Sequence, residues 1–284
     1  MKLVSYRDKD GDTFGTMVGD GIFNIGRAPE INASTLRQAL EADALDAIQD
    51  LVLTRDAYTP MDDITFLPVI PDPDKIICVG LNYATHVAEG GREPPEYPML
   101  FPRYANTQVG HGETLIRPKA SERFDFEGEL AFVIGKTARH VPQSEALGYV
   151  AGYACYNDGS IRDWQRHTSQ FLPGKNFFRS GAFGPWLVTA DEIPDPTVMT
   201  LTTRLNGAEM QRATTDDLIF GVARLIEYIS TFTELVPGDV VATGTTGGVG
   251  AYREPPVWMK AGDTVEVEIS GIGTLRNTVI DEAG

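Results

Sequence analysis

Cysteine is scarce in this chain. Cys78 and Cys155 stand alone, without CxxC spacing and within apolar strand-like runs, which excludes a disulfide scaffold or a structural zinc site and makes both small core residues. Positive charge is short as well. Forty acidic against twenty-four basic residues leave a formal charge of −16, a field that repels nucleic-acid phosphates and anionic membrane surfaces, so neither is an expected partner. No run approaches the ~18 uncharged apolar residues of a membrane span. The opening Met1-Lys2-Leu3-Val4-Ser5-Tyr6-Arg7-Asp8 has no apolar signal core, and a cytoplasmic protein is expected. Nucleotide-binding glycine motifs are missing too. Gly135-Lys136-Thr137 has Leu130 where a P-loop needs its first glycine, and Gly244 to Gly250 misses the dinucleotide spacing with no clear helix behind it. No GxSxG elbow marks a serine hydrolase of the α/β type.

What is present is ordinary globular composition, 42% apolar and 23% charged, enough for one large domain or one with a smaller companion. Short β-rich runs broken by Asp8 to Asp12 and by Gly19-Asp20-Gly21 predict a meander over 1–25. Asp8, Asp10 and Asp12 do not make a calcium loop, because glycine falls at the fourth position and Gly19 at the twelfth. Leu36, Ala39, Leu40 and Ala44 behind Ser34 predict one or two helices over 34–54. Pro60, Pro68, Pro71 and Pro73 then mark a boundary near 70, giving a small N-terminal α/β domain over 1–70 and a catalytic domain over 71–284. Beyond it, strands are expected at 75–80, 124–135, 148–156, 184–190, 198–206, 238–243 and 263–270. One helix interrupts them, opened by Asp216 and Asp217 and carrying Leu218, Ile219, Val222, Leu225, Ile226 and Ile229 at period 3.6. The fold class is α+β, dominated by β, without the regular alternation of a doubly wound sheet.

Carboxylates carry the chemical signal. Over 124–134, period two puts Phe124, Phe126, Leu130, Phe132 and Ile134 on one face and Asp125, Glu127 and Glu129 on the other. Three acids on a strand make a solvated face or, since the same face runs on to Ala131 and Val133, a pocket wall whose carboxylates converge on a hard cation. Asp158 closes the apolar strand Tyr149 to Tyr156, either as an Asx turn or as a third oxygen ligand. His86 and Glu89 are three apart, so one helical turn aligns them as exposed neighbours or as an oriented base. Gly90 and Gly91 follow, a hinge for a mobile lid. His111, His140 and His167 lack such company.

Taken together, Lys75 to Tyr83 with His86 and Glu89, Glu127-Gly128-Glu129-Leu130 running into Ile134-Gly135-Lys136, and Asn157-Asp158 with Arg162-Asp163-Trp164-Gln165 resemble the fumarylacetoacetate hydrolase superfamily. Gly174-Lys175, Thr243-Gly244-Thr245 and Gly248-Val249-Gly250 extend the likeness over about 70–280. The resemblance implies a mixed β-roll catalytic domain behind a smaller N-terminal domain, usually as a homodimer. It implies Mg²⁺ or Mn²⁺, with Ca²⁺ as a substitute, held by Glu127, Glu129 and Asp158. By the same resemblance His86 with Glu89 is the base, Lys175 holds developing charge, and Arg162, Gln165 and Thr245 grip a keto acid. The implied reaction is hydrolysis of a C–C bond in a 1,3-diketo acid of the acylpyruvate type, such as fumarylpyruvate or a diketo-deoxy sugar acid.

Relatives in that superfamily decarboxylate oxaloacetate or isomerise and decarboxylate hydroxymuconates, and the oriented base favours hydrolysis. A non-enzymatic acid-binding protein with structural Ca²⁺ would leave His86 without a task. Two departures bear on the substrate. Pro102-Arg103 stands where a lysine-proline pair is common, which puts an arginine near the substrate's distal end, and Thr246 replaces a proline after Thr245.

Overall fold

A computed structural model describes residues 1–53, 59–89, 91 and 93–283. Among them a mixed twelve-stranded sheet has its main path in the order Thr59–Pro60, Gly21–Asn24, Gly11–Val18, Lys2–Asp8, Gly181–Thr189, Val150–Asn157, Gly128–Ile134, Val240–Thr245, Ile76–Gly80 and Met99–Arg103. The N-terminal meander is hydrogen-bonded into this sheet, Lys2 opposite Val188 and Leu3 opposite Leu187. A five-stranded sheet, Ala208–Thr214, Thr200–Leu205, Thr264–Ile269, Gly273–Asp281 and Thr114–Arg117, packs on the central strands.

Alternation along Gly128–Ile134 explains how the layers assemble. Leu130, Phe132 and Ile134 join Leu201, Val267 and Leu275 in the core between the sheets, while Ala131 and Val133 face the opposite way, into a second core with Leu36, Leu40 and Ile48. Both faces of this strand are therefore buried, and its backbone is fixed from either side. The apolar alternation predicted over 124–134 is present, but the strand is interrupted: Phe124–Asp125 pairs with Ser160–Ile161, and the long strand begins only at Gly128.

Helices differ from expectation in detail. The segment 34–54 holds Leu36–Glu41 and Leu45–Val52, and Thr35 rather than Ser34 caps the first by accepting from the Gln38 N–H. The long helix runs Val222–Phe232 instead of starting at the acids. Asn82 explains the delay. Its side chain accepts from the Phe220 N–H at 2.8 Å and donates to the carbonyls of Phe220 and Thr243 at 3.0 and 2.7 Å, so Leu218 to Phe220 are held against the 81–83 segment, with Leu218 bridged to Tyr83.

Asn82→Ala strands three buried backbone groups at once. At ~1–3 kcal/mol for each unsatisfied group, the expected loss is several kcal/mol, read as a lower urea midpoint. A midpoint within experimental error of wild type would show that these bonds do not hold the segment.

Candidate metal and substrate site

The site forms where two central strands stop together. Gly128 lies opposite Asn157 and Glu129 opposite Tyr156, and the Asp158 N–H donates to the Glu127 carbonyl at 2.9 Å. On the other side the register slips between Glu129 and Ala131, an extra residue on Val240–Thr245. Gly244 fills that bulge at φ +101, and an added Cβ there would lie 2.8 Å from the Val79 carbonyl oxygen. The bulge turns the Gly244 N–H onto Glu129 Oε2 at 2.9 Å. Glu127, Glu129 and Asp158, all buried, each bring one oxygen within 4.8 Å of the others.

Cations surround two of these acids. Lys175 Nζ lies 2.6 Å from both Glu127 Oε2 and Asp158 Oδ2. Arg162 NH1 is 2.6 Å from Glu127 Oε1, and Arg103 NH1 is 2.5 Å from Asp158 Oδ1. Burial would raise the Glu127 pKa, but Arg162 and Lys175 outweigh it and hold the carboxyl at about 2. Burial works against the Lys175 ammonium as well, yet Asp158 and Glu127 keep its pKa above the usual lysine value. Among the described residues Glu129 makes no such direct ion pair, and Lys175 acts on it only at longer range. Burial and the charges of Asp158 and Glu127 push its pKa well up, against the weaker opposing effects of the Lys175 charge and the Gly244 N–H. An all-oxygen, buried donor set with one uncompensated acid fits a divalent hard cation.

A cavity of about 80 Å³ opens beside the triad. His86 lines it from the helix Ala84–Glu89, with Nδ1 buried and 3.5 Å from Glu89 Oε2. That is long for a hydrogen bond, and the Glu89 carboxylate instead accepts from the Gly248 N–H at 3.1 Å. Burial lowers the His86 pKa, which keeps the imidazole neutral at neutral pH. The reading of His86 as an exposed helical neighbour of Glu89 is corrected: it is 7% exposed. Gln165 accepts from Arg162 NH1 at 2.9 Å, and both line the cavity. Arg162 NH2 is buried without a protein partner. Thr245 also lines it, its hydroxyl donating to the Gly128 carbonyl at 2.9 Å.

Arg103 requires a second correction. It lies under Asp158, outside the cavity lining, and not at a distal substrate subsite. The proposed hinge falls partly outside the described residues, which omit Gly90 and Arg92; Gly91 has φ +62. Two contributors carry no motif, Gln211 and Tyr252, and Asp125, grouped with Glu127 and Glu129 by its spacing, has a different place from theirs. Gln211 donates to Thr245 Oγ1 and accepts from the Gly128 N–H, at 2.8 and 3.0 Å. Tyr252 lines the cavity 5.9 Å from the His86 ring. Asp125 accepts from Gly250 and Ala251 N–H groups and from Arg162, so it clamps the turn carrying Tyr252.

A family model, fumarylacetoacetate (FAA) hydrolase C-terminal, matches residues 75–280. The chain belongs to the fumarylacetoacetate hydrolase family. Its fold is that of the solved members: a fumarylacetoacetate hydrolase from Exiguobacterium antarcticum aligns with TM-score 0.88 at 31% identity, covering 99% of this chain and 100% of that one. A maleylpyruvate hydrolase from Sphingobium sp., solved with manganese(II) and pyruvate, aligns with TM-score 0.83 at 26% identity over 100% of both chains. Among curated relatives, the mitochondrial oxaloacetate tautomerase FAHD2A of Bos taurus is 37% identical over 266 residues, 92% of this chain and 85% of that protein. No helix among the described residues is long and apolar enough to cross a membrane.

The unpaired Glu129 has a consequence for stability. Its folded carboxyl keeps a proton above 4.5, where an unfolded glutamate has lost it, so metal-free protein loses up to about 1.4 kcal/mol per pH unit above that value through this group. Glu129→Gln is therefore expected to raise the metal-free thermal midpoint at pH 7 and to change it little at pH 4.5. Added Mn²⁺ should raise the midpoint of wild type and not of the variant. A variant less stable than wild type at pH 7 without metal, or equally stabilised by Mn²⁺, contradicts this reading.

Proposed function

We propose that this chain is a divalent-metal-dependent enzyme that interconverts the enol and keto forms of a small 2-oxo dicarboxylate of the oxaloacetate kind. The observation that carries the reading is the convergence on one small cavity of a neutral, buried His86 and the unpartnered Arg162 NH2 beside the acidic triad. The naming of full-length relatives as oxaloacetate tautomerases supports it.

Glu127, Glu129 and Asp158 would hold Mg²⁺ or Mn²⁺. When bound, the cation supplies positive charge for the substrate's 2-oxo and carboxylate oxygens. Arg162 NH2 and exposed Arg166, which also lines the cavity, take carboxylate oxygens. With Nδ1 turned to Glu89, His86 Nε2 is the ring nitrogen available to remove a proton from carbon 3. The C–H pair becomes the C2–C3 double bond, and the 2-oxo oxygen gains electron density and accepts a proton from Lys175, which the carboxylates keep charged. Ketonisation runs the same transfers backward. Phe101, Phe171 and Leu81 form an apolar wall that limits water around the enolate.

A second reading, C–C hydrolysis of an acylpyruvate, is favoured by Glu89 beside His86 and by the manganese- and pyruvate-bound hydrolase of the same fold. It shares the enolate but requires activated water. Oxaloacetate incubated in D₂O distinguishes the outcomes. Deuterium should enter carbon 3, with the ultraviolet enol absorbance decaying faster, and His86→Gln should slow both by ~10²–10⁴. The acid limb of the wild-type rate should lie below the ordinary imidazole value of 6.5. Solvent ¹⁸O in a carboxylic acid released together with pyruvate from an acylpyruvate, with no catalysed exchange on oxaloacetate, supports the hydrolase instead.

A further inference from the structure

The metal reading of the triad leaves open which ion it selects, and the role of Arg103 in that selection rests on the metal reading. Each carboxylate has one oxygen engaged by a protein donor other than Lys175. Glu127 Oε1 meets Arg162, Glu129 Oε2 meets the Gly244 N–H, and Asp158 Oδ1 meets Arg103. Arg162 lines the cavity and Gly244 belongs to the bulge. Arg103 does neither.

The Arg103 side chain is enclosed and has partners along its whole edge. NH1 donates to Asp158 Oδ1 at 2.5 Å and to the Gly159 carbonyl at 3.1 Å, NH2 donates to Ser180 Oγ at 2.7 Å, and Nε donates to Thr107 Oγ1 at 3.3 Å. Gly181 forms the floor: a Cβ there would lie 2.9 Å from Cζ, NH1 and NH2 alike. The guanidinium plane thus lies flat on bare backbone, in a slot with four directional acceptors. A lysine ammonium, a point donor without a plane, cannot satisfy the same set.

We infer that Arg103 is a positioning residue that makes the site discriminate against Ca²⁺ by keeping Asp158 a one-oxygen ligand. A carboxylate whose Oδ1 is held in a rigid fork cannot swing to offer both oxygens to one ion. Mg²⁺ and Mn²⁺ suit six-coordinate oxygen sites with single-oxygen carboxylates and room for water or substrate. Ca²⁺ takes six to eight oxygens and gains from bidentate ones. With the other two acids also engaged through one oxygen each, freeing Asp158 is the change that adds a donor without removing a ligand.

The test is calorimetric titration of the full chain with MnCl₂ and separately with CaCl₂, for wild type, Arg103→Lys and Gly181→Ala. Gly181→Ala leaves the arginine charge in place and pushes only on the guanidinium plane. Wild type should bind Mn²⁺ more tightly than Ca²⁺. In both variants Mn²⁺ affinity should fall ~10–100-fold, the usual cost of losing a ligand's support, while Ca²⁺ affinity falls much less, so the preference shrinks about tenfold or more. If Arg103→Lys does not fold, as judged by circular dichroism, Gly181→Ala decides alone. A preference unchanged in a folded variant, including equal losses for both ions, overturns the role of Arg103 and leaves the metal site standing. A wild type that binds neither ion overturns the metal reading itself, and the inference with it.

Discussion

Four carboxylates and three cations share the protein interior below one small cavity: Asp125, Glu127, Glu129 and Asp158 against Arg103, Arg162 and Lys175, all buried. Charges taken out of water are costly unless each finds a partner. Here the pairing is nearly complete, with Glu129 the acid left over. The remaining architecture can be understood as what holds this set together. Two apolar cores fix both faces of Gly128–Ile134, and the bulge at Gly244 lends Glu129 its single donor. That leftover buried acid, with Glu127 and Asp158 close by, is what suits the triad to a divalent cation.

The same charges organise the cavity beyond the triad. Asp125 binds Arg162 and, with its oxygens, the Gly250 and Ala251 N–H groups, so the guanidinium that lines the cavity and the turn that brings Tyr252 toward His86 share one anchor. Gln211 reaches across from the smaller sheet to Thr245 and Gly128. Asn82 ties the segment before His86 to Phe220 and Thr243. The small sheet, the long helix and the central strands therefore meet at the site through buried polar side chains, which demand directional partners where apolar packing does not.

Much of this was legible in the residue order. Period two separated the phenylalanines from the acids, and the structure places Phe124, Phe126, Leu130, Phe132 and Ile134 in one core. The i, i+3 spacing of His86 and Glu89 is realised on a helix. The family pattern placed Arg103 near the substrate's distal end and could not show that it turns onto Asp158 instead, because that contact depends on the bare Gly181 backbone, some 78 residues away in sequence. Gln211 was equally invisible, lying on a strand, Ala208–Thr214, whose other residues are exposed or half-buried. The late start of the Val222–Phe232 helix depends on a bond from Asn82, some 138 residues away in sequence, which no local periodicity encodes. Tertiary hydrogen bonds overrode the local helix signal there.

The central claim is that the uncompensated triad takes one divalent ion through one oxygen from each acid. Anomalous diffraction from crystals grown with Mn²⁺ addresses it most directly. The account predicts a single anomalous peak bounded by Glu127, Glu129 and Asp158, each contributing one oxygen, with the remaining positions open to water or a 2-oxo acid. No peak at the triad in crystals soaked to saturation, or a peak held elsewhere in the chain, would contradict it.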